Sequence, residues 1–250
     1  MNRIDLEGGC FVTHLDDLSY RVRGVCSWAT YIDSAIGSHA LSMTAMVFVQ
    51  GQSEPISFGA SDQVLYALSG QASLLIGEQT FVLGAESGAY VYPGEKFSIV
   101  NENEEPLQLL VGVCPESEQL LFGGGTGTFN SDQSERLVQS GRQTTQATGD
   151  RFFKLLVGPS VGSHQVTQFI GMIPQSRASS HFHTYEETIC ILSGEGFMWA
   201  GEQKTAVRPG SLVYLPRKQS HCLECTSPAG MTLAGLFYPA GSPAVRYENE

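Results

Sequence analysis

Three histidines and one glutamate stand in this sequence at a spacing that suits a metal ion. His181-Phe182-His183 is followed by Glu187, and His221 comes 34 residues after Glu187. Residues at even separation on an extended strand share one face, so His181, His183 and Glu187 would converge. A neighbouring antiparallel strand would bring His221 beside them. Three neutral imidazole nitrogens and one carboxylate oxygen suit a divalent first-row transition metal. They are poor ligands for Ca²⁺ or Mg²⁺, which prefer all-oxygen shells. An H-x-H pair alone is common; the added glutamate, the downstream histidine and a β-rich frame raise this one to a candidate metal site. A metal held by three or four such ligands keeps one or two positions open to water, O₂ or substrate. That permits oxygenation at a redox ion, or hydrolysis, isomerisation and decarboxylation at a Lewis acid.

The frame is visible in short β-rich runs. Thr188-Ile189-Cys190-Ile191-Leu192 ends at Ser-Gly, Phe197 to Ala200 ends at Gly201, and Leu212 to Leu215 ends at Pro216. Strands of this length with turn signals every ~8–12 residues indicate an antiparallel sandwich or barrel. The 28 glycines agree, and 42% hydrophobic residues in 250 can bury a core. One helix is expected, a short one over 131–139. The net charge of −11, from 14 Lys+Arg against 25 Asp+Glu, argues against nucleic acid or an anionic membrane as partner. No apolar run approaches the ~18 residues of a membrane span. Met1 to Glu7 carries charges where a signal peptide needs an apolar stretch, so the cytoplasm is the expected compartment. There the six cysteines are expected to be reduced. Cys222 and Cys225 would face opposite sides of a strand, which disfavours a working dithiol.

The chain repeats itself. Leu68-Ser69-Gly70 returns as Leu192-Ser193-Gly194 and Gly77-Glu78-Gln79 as Gly201-Glu202-Gln203, each 124 residues later. Val91-Tyr92-Pro93 is echoed by Tyr214-Leu215-Pro216, and Gly37-Ser38-His39 by Gly162-Ser163-His164. Constant order and a nearly constant offset indicate a duplication. The expected organisation is an N-terminal arm over 1–27 (able to add a strand), a first barrel over 28–118, a Gly/Ser/Thr/Gln-rich linker over 119–150 and a second barrel over 151–250.

His181-x-His183-x3-Glu187-x6-Gly194 resembles the first motif of the cupin family. Gly210-x5-Pro216-x4-His221 resembles the second, with Lys218 where that motif usually has Gly and Cys225 where it usually has Asn. The resemblance spans about Phe152 to Pro239, and the repeat extends it to a bicupin. It implies an all-β chain of two cupin barrels in tandem, of the double-stranded β-helix or jelly-roll type. It also implies one divalent transition metal on His181, His183, Glu187 and His221, with iron or manganese ahead of nickel or zinc. Related cupins run both redox and Lewis-acid chemistry. The leading expectation is a dioxygenase-like enzyme acting on a small organic molecule. A metal-dependent isomerase or hydrolase, including one like ureidoglycine aminohydrolase, and a non-catalytic small-ligand-binding bicupin are the alternatives. Cupin barrels often pair through their sheets, which leaves room for a homodimer.

Sliding back by 124 puts Ser57, Gly59 and Gln63 at the first three ligand positions, and sliding by 123 puts Ser98 at the fourth. No imidazole or carboxylate remains, so the first barrel is expected to bind no metal. Around the second site, Tyr185 shares the ligands' parity and would reach the cavity to position substrate or move a proton. Glu186 has the opposite parity and is expected to be solvated. Ile189 and Ile191 should wall the cavity, and one of Met198 and Trp199 should face in. Arg177, Arg208 and Arg217 are the candidate anchors for an acidic substrate. The few basic residues point to a neutral or aromatic substrate more than a phosphate ester. His14, His39 and His164 lack ligand spacing.

Overall fold

The computed structural model describes residues 3–115 and 120–245. Apart from five single-turn 3₁₀ segments, every regular element among the described residues is a β-strand. No helix there is long and apolar enough to cross a membrane. The short helix expected over 131–139 does not form: Leu137–Gln139 is a strand paired with Ser87–Ala89.

Two compact units form, and their boundaries are not single cuts in the chain. One is Ser19–Gln143 with Leu156–Val166; the other is Met1–Leu18, Thr144–Leu155 and Thr167–Glu250. Residues 1–27 are thus divided between the units, as are residues 119–150. In the second unit Phe11–His14 adds to the large sheet by pairing with Ser211–Tyr214, and Arg3–Asp5 pairs outside it.

The second unit has an eight-stranded sheet and a three-stranded sheet of Gly196–Ala200, Gln203–Val207 and His221–Cys225. Between them lies an apolar core that includes Ile189, Ile191, Met198, Leu215 and Phe237. Ile189 and Ile191 therefore face in as their parity requires. So does Met198, whereas Trp199 on the opposite face donates its indole N–H to Glu224 and carries Arg177 and Lys204 over its ring. All six cysteines are buried free thiols, and burial pushes those of Cys10, Cys26 and Cys190 up to about 12. Cys222 and Cys225 form no disulfide.

The first unit repeats this plan. Its large sheet contains Cys26–Ile32, Ser42–Phe48, Asp62–Ser69, Ser87–Val91 and Leu107–Cys114, and Phe97–Asn101 belongs to the smaller sheet. Pairing registers match 124 residues apart: Gln63 pairs with Val91 and Val113, as Glu187 pairs with Leu215 and Phe237.

A buried ion pair fixes residues 126–143 to this unit. Arg136 is fully buried, with its guanidinium 2.6 and 2.9 Å from the two Glu95 carboxylate oxygens. It lies 4.4 Å from the ring centres of both Tyr92 and Phe129. Its remaining donors go to the carbonyls of Gln133, Asn130 and Tyr90. Glu95 also accepts from the backbone N–H groups of Tyr92 and Asn130.

Removing one partner of a buried, hydrogen-bonded pair leaves an uncompensated charge and costs about 3–5 kcal/mol. Arg136→Ala should therefore shift the urea midpoint of the first unit down by that equivalent, followed by circular dichroism. A loss below about 1 kcal/mol would show that the linker is held by other contacts.

Candidate metal centre

His221 opens the His221–Cys225 strand, and His181 pairs with it across an antiparallel bridge. The two backbones exchange both hydrogen bonds, at 3.0 and 2.8 Å. His183 follows two residues on, and its carbonyl accepts from the N–H of Lys218 at 2.7 Å. Lys218 holds a positive φ of 63°, a conformation that glycine adopts without strain. The chain then bends at Thr184 and Tyr185 before the Glu186–Ser193 strand begins.

One ligand atom from each of His181, His183 and His221 lies within 4.8 Å of the others. Each ring presents the same edge, because each Nδ1 donates to a backbone carbonyl: His181 to Ser179 at 2.9 Å, His183 to Val245 at 3.0 Å, His221 to Gln219 at 2.8 Å. A carbonyl can only accept, so the neutral tautomer carries its proton on Nδ1 and leaves Nε2 with a lone pair. This is the outer arrangement that orients metal-binding imidazoles. Glu187 Oε2 lies 3.6 Å from His183 Nε2. Burial pushes the Glu187 carboxyl up to about 8, and burial with the neighbouring His181 lowers His221 to about 4. Three lone-pair nitrogens and a carboxyl in an apolar barrel fit a divalent transition metal, whose charge would favour the ionised carboxylate.

These groups border a cavity of about 100 Å³. Its walls are apolar, with Phe153, Phe169, Ile189, Leu223 and Leu233, and one guanidinium, Arg151, lines it as well. Arg151 also donates to the Leu223 carbonyl at 2.9 Å.

Several neighbours sit elsewhere than their spacing implies. Tyr185 does not line the cavity: its ring stacks on His183 at 4.5 Å and on Phe237 at 4.2 Å, because the bend at 184–185 breaks the strand parity. It holds an imidazole in place. Glu186 is buried, not solvated. Arg177, Arg208 and Arg217 do not line the cavity; Arg177 covers Trp199, Arg208 lies 3.6 Å from Asp16 and Arg217 faces Tyr238. Arg151 went unnoticed as the start of a strand after a polar linker. Only the pairing registers, 125 residues apart, put Arg151 where the first unit has the buried Cys26.

The same registers shift three of the four first-unit equivalents by one residue. Phe97 pairs with Ile56 as His221 pairs with His181. The counterparts of the three histidines are therefore Ile56, Phe58 and Phe97, not Ser57, Gly59 and Ser98; Gln63 remains opposite Glu187. All four are buried, and the three apolar ones join the core. Hydrocarbon replaces every imidazole.

Residues 168–235 match the family described as Cupin domain. No curated protein matches the chain. Among solved structures, it is similar to a deletion mutant of Bacillus subtilis oxalate decarboxylase, with a TM-score of 0.71, 13% identity, and coverage of 91% of this chain and 76% of that one. A further oxalate decarboxylase structure, described by its Mn(II) centres, gives 0.71, 13%, 92% and 78%. Protein YlbA from E. coli gives a TM-score of 0.75 at 14% identity, covering 97% of this chain and 96% of the other. These likenesses show a jelly-roll cupin fold.

Wild-type protein purified without chelator should carry about one transition metal per chain by mass spectrometry, and the His181→Ala/His221→Ala variant should carry none. Metal-free wild type that stays empty on reconstitution would overturn the site. The metal-free protein should also show a telling pH dependence. Folded Glu187 keeps its proton up to about pH 8 while the unfolded group loses it near 4.5, so stability falls as pH rises through that window. His221 acts oppositely between about 6.5 and 4, where the unfolded state binds the extra proton and stability falls as pH drops. From pH 6.5 to 8 only the glutamate effect remains of the two, up to roughly 1.4 kcal/mol per pH unit for a full proton. Glu187→Gln should flatten that slope in urea titrations, and an unchanged slope would assign it to other groups.

Proposed function

We propose that the protein is a metal-dependent bicupin enzyme acting on a small organic molecule, with its chemistry at His181, His183, Glu187 and His221. The observation that carries this is the convergence of three imidazoles, each fixed through Nδ1, on a small cavity with an apolar wall. When bound, the metal supplies redox or Lewis-acid chemistry at its open positions. Iron or manganese fits the donor set, with nickel and zinc as further candidates. Oxygenation of a small substrate is the leading reaction class.

The chain's own residues limit the substrate. About 100 Å³ suits a molecule of few heavy atoms. Phe153, Phe169, Leu223 and Leu233 exclude water from its apolar part. Arg151 offers planar N–H donors that match a carboxylate, which turns the expected neutral or aromatic substrate into a small carboxylic acid. This anchor also supports a second reading, O₂-independent cleavage of a carboxylic acid, since two of the similar folds are oxalate decarboxylases.

Protein loaded in turn with Fe(II), Mn(II), Ni(II) and Zn(II) should be assayed against two- to five-carbon carboxylic acids, for oxygen uptake and for product without oxygen. Oxygen uptake with the iron form, absent in His181→Ala/His221→Ala, is the expected result. Turnover confined to anaerobic conditions would replace oxygenation with the second reading. Arg151→Gln should raise KM for the acid at least tenfold while metal content stays unchanged. An unaltered KM would remove the anchor.

A further inference from the structure

The first unit keeps a cleft where the second has its metal cavity, with different chemistry in the walls. Cys26–Ile32 and Ser42–Phe48 pair so that Thr30 lies opposite Thr44, in the register that sets Leu155 opposite Phe169. Trp28 likewise stands at the position of Phe153. Trp28 and Thr30 are two residues apart on one strand, as are Ser42 and Thr44 on the next, so the four side chains share a face. They line a cleft of about 430 Å³, with Phe58, the counterpart of His183, also in its wall.

That volume lies within the ~300–1,000 Å³ of ordinary small-molecule sites. The wall changes from exposed to buried: Arg21, Thr30 and Ser34 are exposed, Ser42 and Thr44 fully buried. The Thr30 and Thr44 hydroxyls are 2.9 Å apart. Ser42, only 3% exposed, has a buried Oγ with no hydrogen-bond partner among the described residues. A buried unpaired hydroxyl costs about 1–3 kcal/mol unless something bonds to it. Arg21 and Asp33, both lining the cleft, bring opposite charges that cancel, so the cleft does not select an ion.

We infer that this cleft is a second ligand site, specific for an uncharged polyhydroxylated molecule, a monosaccharide or a polyol. Hydroxyls donate and accept at once, so a wall of threonine and serine hydroxyls matches a ligand built the same way. The indole of Trp28 gives the apolar C–H face of such a ligand a flat surface to lie on. The replacement of three imidazoles by Ile56, Phe58 and Phe97 leaves no imidazole there for a metal, so no metal takes part in holding the ligand. The site is independent of the chemistry in the second unit.

Full-length protein should be titrated with xylose, glucose and sorbitol, with serine as a charged comparison, by calorimetry and saturation-transfer NMR. At least one of the three neutral probes should bind saturably in the millimolar range or tighter. Thr30→Val/Thr44→Val, which keeps shape and removes both hydroxyls, should weaken it at least tenfold. Thr30→Val alone, at an exposed position, should weaken it measurably if the double variant does not fold. Binding should be unchanged in His181→Ala/His221→Ala. The inference fails if none of the neutral probes binds, if serine alone binds, if the threonine variants bind as wild type does, or if the histidine variant loses binding.

Discussion

Three hydrogen bonds from imidazole Nδ1 to backbone carbonyls organise the second unit. An imidazole buried in an apolar barrel can turn about two side-chain torsions and can carry its proton on either nitrogen. Tying Nδ1 to Ser179, Val245 and Gln219 removes both freedoms. Each tie requires a carbonyl at a fixed place. Two come from the residue two positions before the histidine, so the extended backbone supplies them locally. The third comes from Val245, far away in sequence, so the segment after the last strand belongs to the site as much as the strands do. The stack of Tyr185 between His183 and Phe237 fixes the same ring from its face.

The first unit shows what the barrel becomes when that requirement is lifted. Fully burying an Ile or Phe side chain stabilises by about 1.5–3 kcal/mol. Ile56, Phe58 and Phe97 therefore contribute where His181, His183 and His221 bring desolvation costs, visible in the lowered His221 and the raised Glu187. The duplicated plan divides the tasks: one unit is packed at these positions, and the other holds polar groups in a dry interior. Gln63 keeps the shape of Glu187 without its charge, and its side-chain amide donates to the Glu95 carbonyl. That carbonyl belongs to the residue whose carboxylate holds Arg136, so the position that would ligate a metal now supports the linker.

Much of this was legible in the chain. The three converging histidines, the all-β frame and the repeat rest on residue type, spacing and turn signals, which are local. One cause of the departures is that parity holds only while a strand runs unbroken. His183 and Glu187 sit on either side of the bend at 184–185, so their convergence owes as much to the turn as to even spacing. Tyr185 leaves the cavity for that reason, whereas Glu186 keeps the parity opposite to Glu187 and is buried because both faces of its strand are covered. The one-residue slip at Ile56 and Phe58 is similar, since the offset is 124 along the later strands and 125 along the earlier ones. Only the pairing of Phe97 with Ile56 reveals it. Arg136 and Arg151 were hidden because each lies in or beside polar sequence, where a basic residue is normally solvated. Arg136 is buried against Glu95, distant in sequence, and the half-buried Arg151 is held by the equally distant Leu223 carbonyl and the adjacent Asp150.

Arg151 also changes the electrostatics of the metal cavity. With the metal absent, the groups there are three imidazoles, one guanidinium and a glutamic acid that keeps its proton up to about pH 8. Under the proposed function, a divalent cation beside an ionised Glu187 would leave one net positive charge, and Arg151 would add another, offset in part by the exposed Asp150 carboxylate 3.8 Å from its Nε. Positive charges left in excess at an apolar cavity are costly. A small anion is the species that offsets them, and it is attracted more strongly here than in water because the walls hold the local dielectric low. Under the proposed function, anion preference would follow from metal and arginine together, and a carboxylate placed against Arg151 would bring the rest of a small substrate toward the three Nε2 atoms.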